Sequence, residues 1–493
     1  MRTPSPHGFN RLLVTSLLLA ACSAGGRDAT TVRPLATIRL PAAHTATPVA
    51  VPTSTPWLAP LVTMEPRAAP QGPLTPGTPL TVTEIDMMDG SSGWGFGLAA
   101  GDGASRVLRT SDGGATWQDV TPPKTSPPVE FGQDPTRPEY QRAVGFFPDR
   151  RTAWIVYDEY PFGPQNYVVN KIPVVVWHTV DGGQSWSSSS PLALDTTGWD
   201  HEPWANTFYP IGLQFLEDSL TGWLLAITQS DGMGCCDKVL FRTEDGGKTW
   251  RSISAPCCGE GNMVFADANR GWITASHEPG FSGYLANLTE DGGHSWTDVE
   301  GLTTRAPGPH VCFAHPYGDP ARCETYDQTR LSTGWVQLLG WISGGDYVAI
   351  DQSADYSKDL LAVYSSNDGG LTWRWALLPS SSPPAPSFLE DYSGVDVFFL
   401  TERIGWVLDY LSGKLYRTLD AGGSWEEIKS VTWNGRLEFA GEIYGWAIAW
   451  GADNATEQPN PPSPVEMPEA YGFVRTFDGG STWILLEPKV AVH

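Results

Sequence analysis

The chain has 493 residues, with 55 acidic against 31 basic side chains and a formal charge of −24. That balance repels phosphate backbones and anionic headgroups, which argues against nucleic-acid binding and polybasic membrane docking. Length alone suggests about three domains, but repeats that run through most of the chain point to one large unit sharing one continuous core.

The first element is a targeting signal. Arg2 and Arg11 flank the start, Leu12 to Ala21 is a short apolar run, and Leu19-Ala20-Ala21-Cys22 follows. The run is too short to span a bilayer. It resembles the lipobox of bacterial lipoproteins, in which the cysteine is diacylated and becomes the mature N-terminus. That resemblance implies removal of residues 1–21, lipidation at Cys22 and a cell-envelope, extracytoplasmic location. The other reading is an ordinary secretion signal with an incidental cysteine. No later stretch is long and apolar enough to cross a membrane, so anchoring is expected to rest on lipid alone.

Residues 22–80 read as a tether, rich in Pro, Thr and Ala, with eleven prolines between Pro34 and Pro79. Extended in polyproline-like geometry at roughly 3.1 Å per residue, it would reach on the order of 100 Å.

From residue 81 to 490 the sequence repeats. RTSDGGATW (109–117) returns six times, placing Asp112, Asp181, Asp245, Asp291, Asp368, Asp420 and Asp478 at spacings of 46 to 77 residues. Upstream of each lies a small residue followed by tryptophan, at Trp94, Trp154, Trp223, Trp272, Trp335, Trp406 and Trp446. Between these landmarks are short β-type runs. In the sixth copy GVDVFFL (394–400), GWVLDY (405–410), KLYRT (414–418) and SWEEIK (424–429) read as four strands separated by turn signals. Four strands per copy, seven times, with no helical periodicity, predict an all-β fold: a seven-bladed β-propeller of four-stranded blades.

Each aspartate falls in the hairpin between a third and a fourth strand. Glycine supplies the positive φ such a turn needs, and a short carboxylate bonds backbone N–H groups two or three residues on. The seven aspartates are therefore read as structural and not catalytic. The motif resembles the Asp-box, or BNR repeat, of sialidases, sortilin-type receptors, xyloglucanases and photosystem II assembly factors. That resemblance implies boxes on the periphery, away from any ligand. The sixth box departs from the pattern, with alanine at position 421, so one altered turn is expected there.

If strands alternate in direction, the box turns and the turns before each tryptophan share one face, and the long connections share the other. Function is expected on the long-connection face. Residues 158–167 and 197–209 supply Asp158, Tyr160, Tyr167, Trp199, Asp200, His201, Glu202 and Trp204, aromatic platforms beside carboxylates that suit a sugar ring or a peptide cation. The alternative is that these aromatics only pin long loops. No HxH or HExxH spacing surrounds His201, His310 or His315, so no metal and no cofactor are expected.

Cys235-Cys236 and Cys257-Cys258 lie symmetrically about the third box and are read as cross-links between two loops, with vicinal bridges or a four-thiolate metal site as alternatives. Cys312 and Cys323 are expected to close their own loop.

These features favour a monomeric, lipid-anchored binding or scaffold propeller that recognises a protein, peptide or glycan. A sialidase- or xyloglucanase-like glycoside hydrolase is one alternative. Against it, the opening F/Y-R-I-P string of sialidases has only a partial echo in Lys171-Ile172-Pro173. A photosystem II assembly factor-like chaperone is another, although such factors carry an arginine-rich patch that this acidic chain lacks.

Overall fold

A computed structural model describes residues 73–100, 102, 104–123, 141–157, 174–193, 208–230, 236–255, 263–274, 286–298, 325–326, 336–342, 360–366, 374–379, 395–410, 412–451 and 471–491. These residues are all-β and form seven sheets.

The first sheet holds β1 (Thr81–Met87), β2 (Gly93–Leu98), β3 (Arg106–Thr110) and β4 (Thr116–Asp119). The second holds β5 (Ala143–Phe146), β6 (Ala153–Tyr157), β7 (Val176–Thr179) and β8 (Ser187–Ser188), and the third β9 (Tyr209–Phe215), β10 (Gly222–Ser230), β11 (Cys236–Thr243) and β12 (Arg251–Ser254). The fourth comprises β13 (Met263–Phe265), β14 (Gly271–Thr274), β15 (Ala286–Thr289) and β16 (Thr297–Asp298). The fifth comprises β17 (Thr325–Tyr326), β18 (Val336–Ile342), β19 (Leu360–Ser366) and β20 (Arg374–Leu377). In the sixth are β21 (Val395–Phe399), β22 (Gly405–Asp409), β23 (Lys414–Thr418) and β24 (Glu426–Ser430). The seventh has β25 (Trp433–Phe439), β26 (Gly445–Gly451), β27 (Tyr471–Thr476) and β28 (Ile484–Leu486). A last strand, β29 (Lys489–Val490), returns to the first sheet as its fifth member, parallel to β4.

Within every sheet consecutive strands pair antiparallel, as the sixth copy's four runs predict. The second strands are mostly apolar because both of their faces are covered. GWGFGL in β2, AWIVY in β6 and GWVLD in β22 are buried at every position. The fourth strand, by contrast, meets solvent, as EEIKS in β24 does at nearly every residue. Such a gradient arises when sheets pack face to face and only their outer edges are free.

The apolar clusters lie between sheets, not within them. Trp94, Phe96 and Val107 of the first pack with Ile155 and Trp177 of the second. Trp154 and Val176 of the second meet Phe215 and Leu224 of the third. Leu240 of the third meets Phe265 and Ile273 of the fourth. Trp406 and Leu415 of the sixth pack with Phe439 and Val474 of the seventh. Finally Trp446 and Phe473 of the seventh pack with Leu108 and Trp117 of the first, so the last sheet sits on the first.

Both chain ends reinforce that seam. Gly77 and Leu80 donate backbone N–H groups to Val490 and Pro488, Val490 donates to Thr78, and Ala491 donates to Trp117. Leu74 and Leu80 pack on the same cluster.

Candidate functional site

Antiparallel pairing puts the first-to-second and third-to-fourth turns of each sheet at one end. Hydrogen bonds join them there. The N–H after each box aspartate reaches the carbonyl of the neighbouring turn: Gly113 to Ser91, Gly182 to Arg151, Gly246 to Leu220, Gly292 to Asn269, Ala421 to Arg403 and Gly479 to Ile443, all within 2.6–3.1 Å.

The six described boxes share one geometry. In the first, the Thr110 hydroxyl donates to Asp112 Oδ1 at 3.0 Å and accepts the Gly114 N–H at 2.9 Å. Asp112 Oδ1 also accepts the Thr116 N–H at 2.9 Å, and Oδ2 accepts the Thr116 hydroxyl at 2.7 Å. The equivalent carboxylate bonds recur at Asp181, Asp245, Asp291, Asp420 and Asp478. Hydroxyl and N–H donors from Ser185 and Ser295 hold Asp181 and Asp291 at about 2. Asp112, Asp245 and Asp478 are lowered as well, because the same donors outweigh the opposing effect of burial. Both oxygens of each carboxylate are thus committed to the turn that carries it. Asp368 lies outside the described residues.

The sixth box keeps this geometry, contrary to the altered turn expected from its sequence. Ala421 occupies the position of the first glycine at φ 64°, and its N–H and the Asp420 carboxylate make the standard bonds. The left-handed region costs a residue with a Cβ about 1–2 kcal/mol. Ala421→Gly should therefore raise stability by about 1 kcal/mol once glycine's greater unfolded-state freedom is deducted. Chemical denaturation checks this, and an unchanged or lower midpoint would show that Ala421 carries no strain.

Two further repeated features escaped the sequence reading. In the first four sheets the turn before the tryptophan has its own side-chain clamp: Asp89, Asp149, Asp218 and Asp267 each accept two backbone N–H groups two and three residues on, at 2.6–2.9 Å. Thr401 does the same at 3.2 and 3.1 Å. The legible signal is an acid or threonine four residues before the small residue that precedes tryptophan. The tryptophans themselves join one sheet to the next. Trp154, Trp223, Trp406 and Trp446 donate their indole N–H to Gly246, Gly292, Gly479 and Gly113 in the following box, at 2.9–3.0 Å. Their rings lie under a cross-strand partner three residues before the box aspartate, His178, Arg242, Arg417 or Arg475. On the other side Phe215, Phe265 and Phe439 of the next sheet stack on Trp154, Trp223 and Trp406 at 3.7–4.0 Å.

The opposite end carries the long connections, and every candidate ligand residue on them, Asp158, Tyr160, Tyr167, Trp199, Asp200, His201, Glu202 and Trp204, lies outside the described residues. So do Cys22, Cys235, Cys257, Cys258, Cys312 and Cys323. Cys236 opens β11, its backbone paired with Ser230. Among the described residues no cluster of His, Cys, Asp or Glu has the makings of a metal site.

What is described toward that end is charged. Arg106 grips Asp102 through Nε and Nη2 at 2.7 and 2.8 Å and Asp119 through Nη1 at 2.6 Å, all three buried, and so fixes the connection after β2. The first strands of several sheets contribute a second group. Glu84 follows a β-bulge in β1, which re-aims the side chain. Glu84 meets solvent, with charged groups of the second and seventh sheets near it. Burial pushes its pKa up, against the pull of Arg142 and Arg436 and with a smaller push from Glu438. Arg142 donates to the Tyr209 hydroxyl and lies 5.3 Å from the centre of that ring. These five residues come from the seventh, first, second and third sheets. No sequence motif marked them, because first strands vary most between copies.

No protein-family model matches the chain, and no curated protein sequence is similar to it. Among solved structures it is similar to YCF48 bound to D1 peptide, at 19% identity over 81% of this chain and 97% of that one, with a TM-score of 0.41. It is also similar to the α-L-arabinofuranosidase Arb93A from Fusarium graminearum, at 14% identity over 66% and 91% of the two chains, with a TM-score of 0.37. The Trypanosoma rangeli sialidase matches at 11% identity over 71% and 53%, with a TM-score of 0.34.

Proposed function

We propose that the seven sheets are the blades of a closed propeller and that the protein is an extracytoplasmic, lipid-anchored binding module. Its partner is a protein, peptide or glycan, engaged through the long-connection end. The observation that carries this reading is the division of labour between the two ends. Six described box carboxylates have both oxygens saturated by their own turns, and those turns are bonded to the adjacent short turns. The polar groups of one end are thus used in holding the sheets together. The connections left for recognition, among them 158–175 and 189–208, join strands at the other end.

A glycoside hydrolase is the second reading, favoured by the placement of Glu84, a solvent-facing carboxylate with Arg142, Arg436 and Glu438 near it, a mixture of acidic and basic groups of the kind acid–base chemistry uses. One experiment separates the two. Trp199→Ala and Trp204→Ala should each weaken binding of a ligand found on a glycan or peptide array by about 2 kcal/mol, the loss typical of a buried aromatic anchor. Melting temperature should barely change. Normal binding by both variants would defeat the first reading. Turnover of a glycan by the wild type that Glu84→Gln abolishes would establish the second.

A further inference from the structure

The short-turn end carries one feature that blade assembly does not use. Leu419, Ile443, Tyr444 and Phe477 are 53, 48, 36 and 47% exposed, and all four lie on turns of the sixth and seventh sheets. Tyr444 and Phe477 meet edge to face at 6.3 Å. The Tyr444 ring also lies against the backbone of Gly90 in the first sheet. Arg417 and Glu442, paired at 2.7 Å, tie the turn that carries Leu419 to the one that carries Ile443. Clustered exposed aromatics and aliphatics of this kind mark a contact surface.

We infer that this patch is covered by the chain's own proline-rich segment, through Pro56-Trp57-Leu58-Ala59-Pro60-Leu61-Val62. Two observations commit the patch to this occupant. First, the described chain begins at residue 73, and Leu74 packs on the cluster between the seventh and first sheets, beside the sheet that holds most of the patch. Eleven residues separate Val62 from Leu74, and at roughly 3.1 Å each in extended proline-rich geometry they cover more than the height of one sheet. Second, the segment has the right chemistry: prolines preset an extended backbone, and exposed aromatic rings are the surface on which such backbones dock.

The docking itself does not depend on the proposed function, but its consequence does. A tether that leaves across the short-turn end turns the long-connection end away from the anchoring membrane, toward whatever the protein binds.

Hydroxyl-radical footprinting of the full mature chain tests this. With every rate normalised to the intrinsic reactivity of its side-chain type, Tyr444 and Phe477 should be oxidised severalfold more slowly than Val180 and Leu220, which are exposed on equivalent turns of other sheets at 60 and 54%. A Trp57→Ser, Leu61→Ser double variant should remove that protection and leave Val180 and Leu220 unchanged. Both positions precede the described residues, and an unchanged melting temperature of the variant shows that it is folded. Equal oxidation of the four residues in the wild type overturns the inference. Protection that survives the double variant overturns it too, and its dependence on protein concentration or on added vesicles would assign the patch to a second copy or to a bilayer.

Discussion

Trp406→Ala is expected to cost about 3–5 kcal/mol, the range for removing a large aromatic from a packed interior. The side chain is wholly buried. Phe439 of the next sheet stacks on one face at 3.7 Å with an interplanar angle of 5°, and Arg417 covers the ring from 5.4 Å. Its N–H holds the Gly479 carbonyl at 3.0 Å. Truncation removes all three contacts at one seam. Trp406→Phe, which retains the stack and loses the donor, should fall between the wild type and the alanine variant. Denaturant titration of the full chain checks both, and a loss under about 1 kcal/mol for Trp406→Ala would show that the seam is held by other means.

The second large effect is acid lability. Stability should be level from neutral pH to about 4 and then fall steeply toward about 2. The sign follows from the direction of the shifts: Asp181, Asp291 and Asp89 lie at about 2 in the folded protein, and Asp112, Asp149, Asp218, Asp245, Asp420 and Asp478 are lowered. A carboxylate whose folded pKa is depressed contributes stability that is present above its unfolded pKa and is lost as pH falls through the folded one. All nine are on short turns at the same end of the sheets, so they are lost together. The midpoint of urea unfolding measured from pH 7 to 2 should trace one steep drop, shallower in Asp245→Ala. That variant should also be weakened by about 1 kcal/mol at neutral pH, as expected for a partly exposed hydrogen-bonded turn. A stability profile that stays flat to pH 2 would contradict the turn geometry.

The strands and their order were legible because the landmarks are local. A box aspartate, its threonine and the next hydroxyl residue span seven residues, and a hairpin is fixed by such short-range bonds. The sixth copy shows how far this goes: its four predicted runs match β21 to β24 to within two residues. What joins the sheets was not legible. Phe439 stacks on Trp406 from 33 positions away, and Trp446 bonds to Gly113 across 333; at such separations nothing in a local window couples the pair. The clamp at Asp89, Asp149, Asp218 and Asp267 was local and could have been read, but one acid among several polar turn residues does not stand out until its N–H partners are seen. Ala421 erred in the other direction, since bonds on both sides of the residue outweigh the preference of its own backbone. Glu84 illustrates a third limit. Its chemistry depends on Arg142 and Arg436, which only the packing of separate sheets brings near it.

The strap at the seam puts both ends of the folded region in one place. β29 is held between β4 on one side and residues 77–80 on the other, by bonds from Gly77, Leu80, Val490 and Ala491. Each flank supplies the other's hydrogen-bond partners, so trimming the chain before residue 81 and trimming it after residue 487 loosen the same seam.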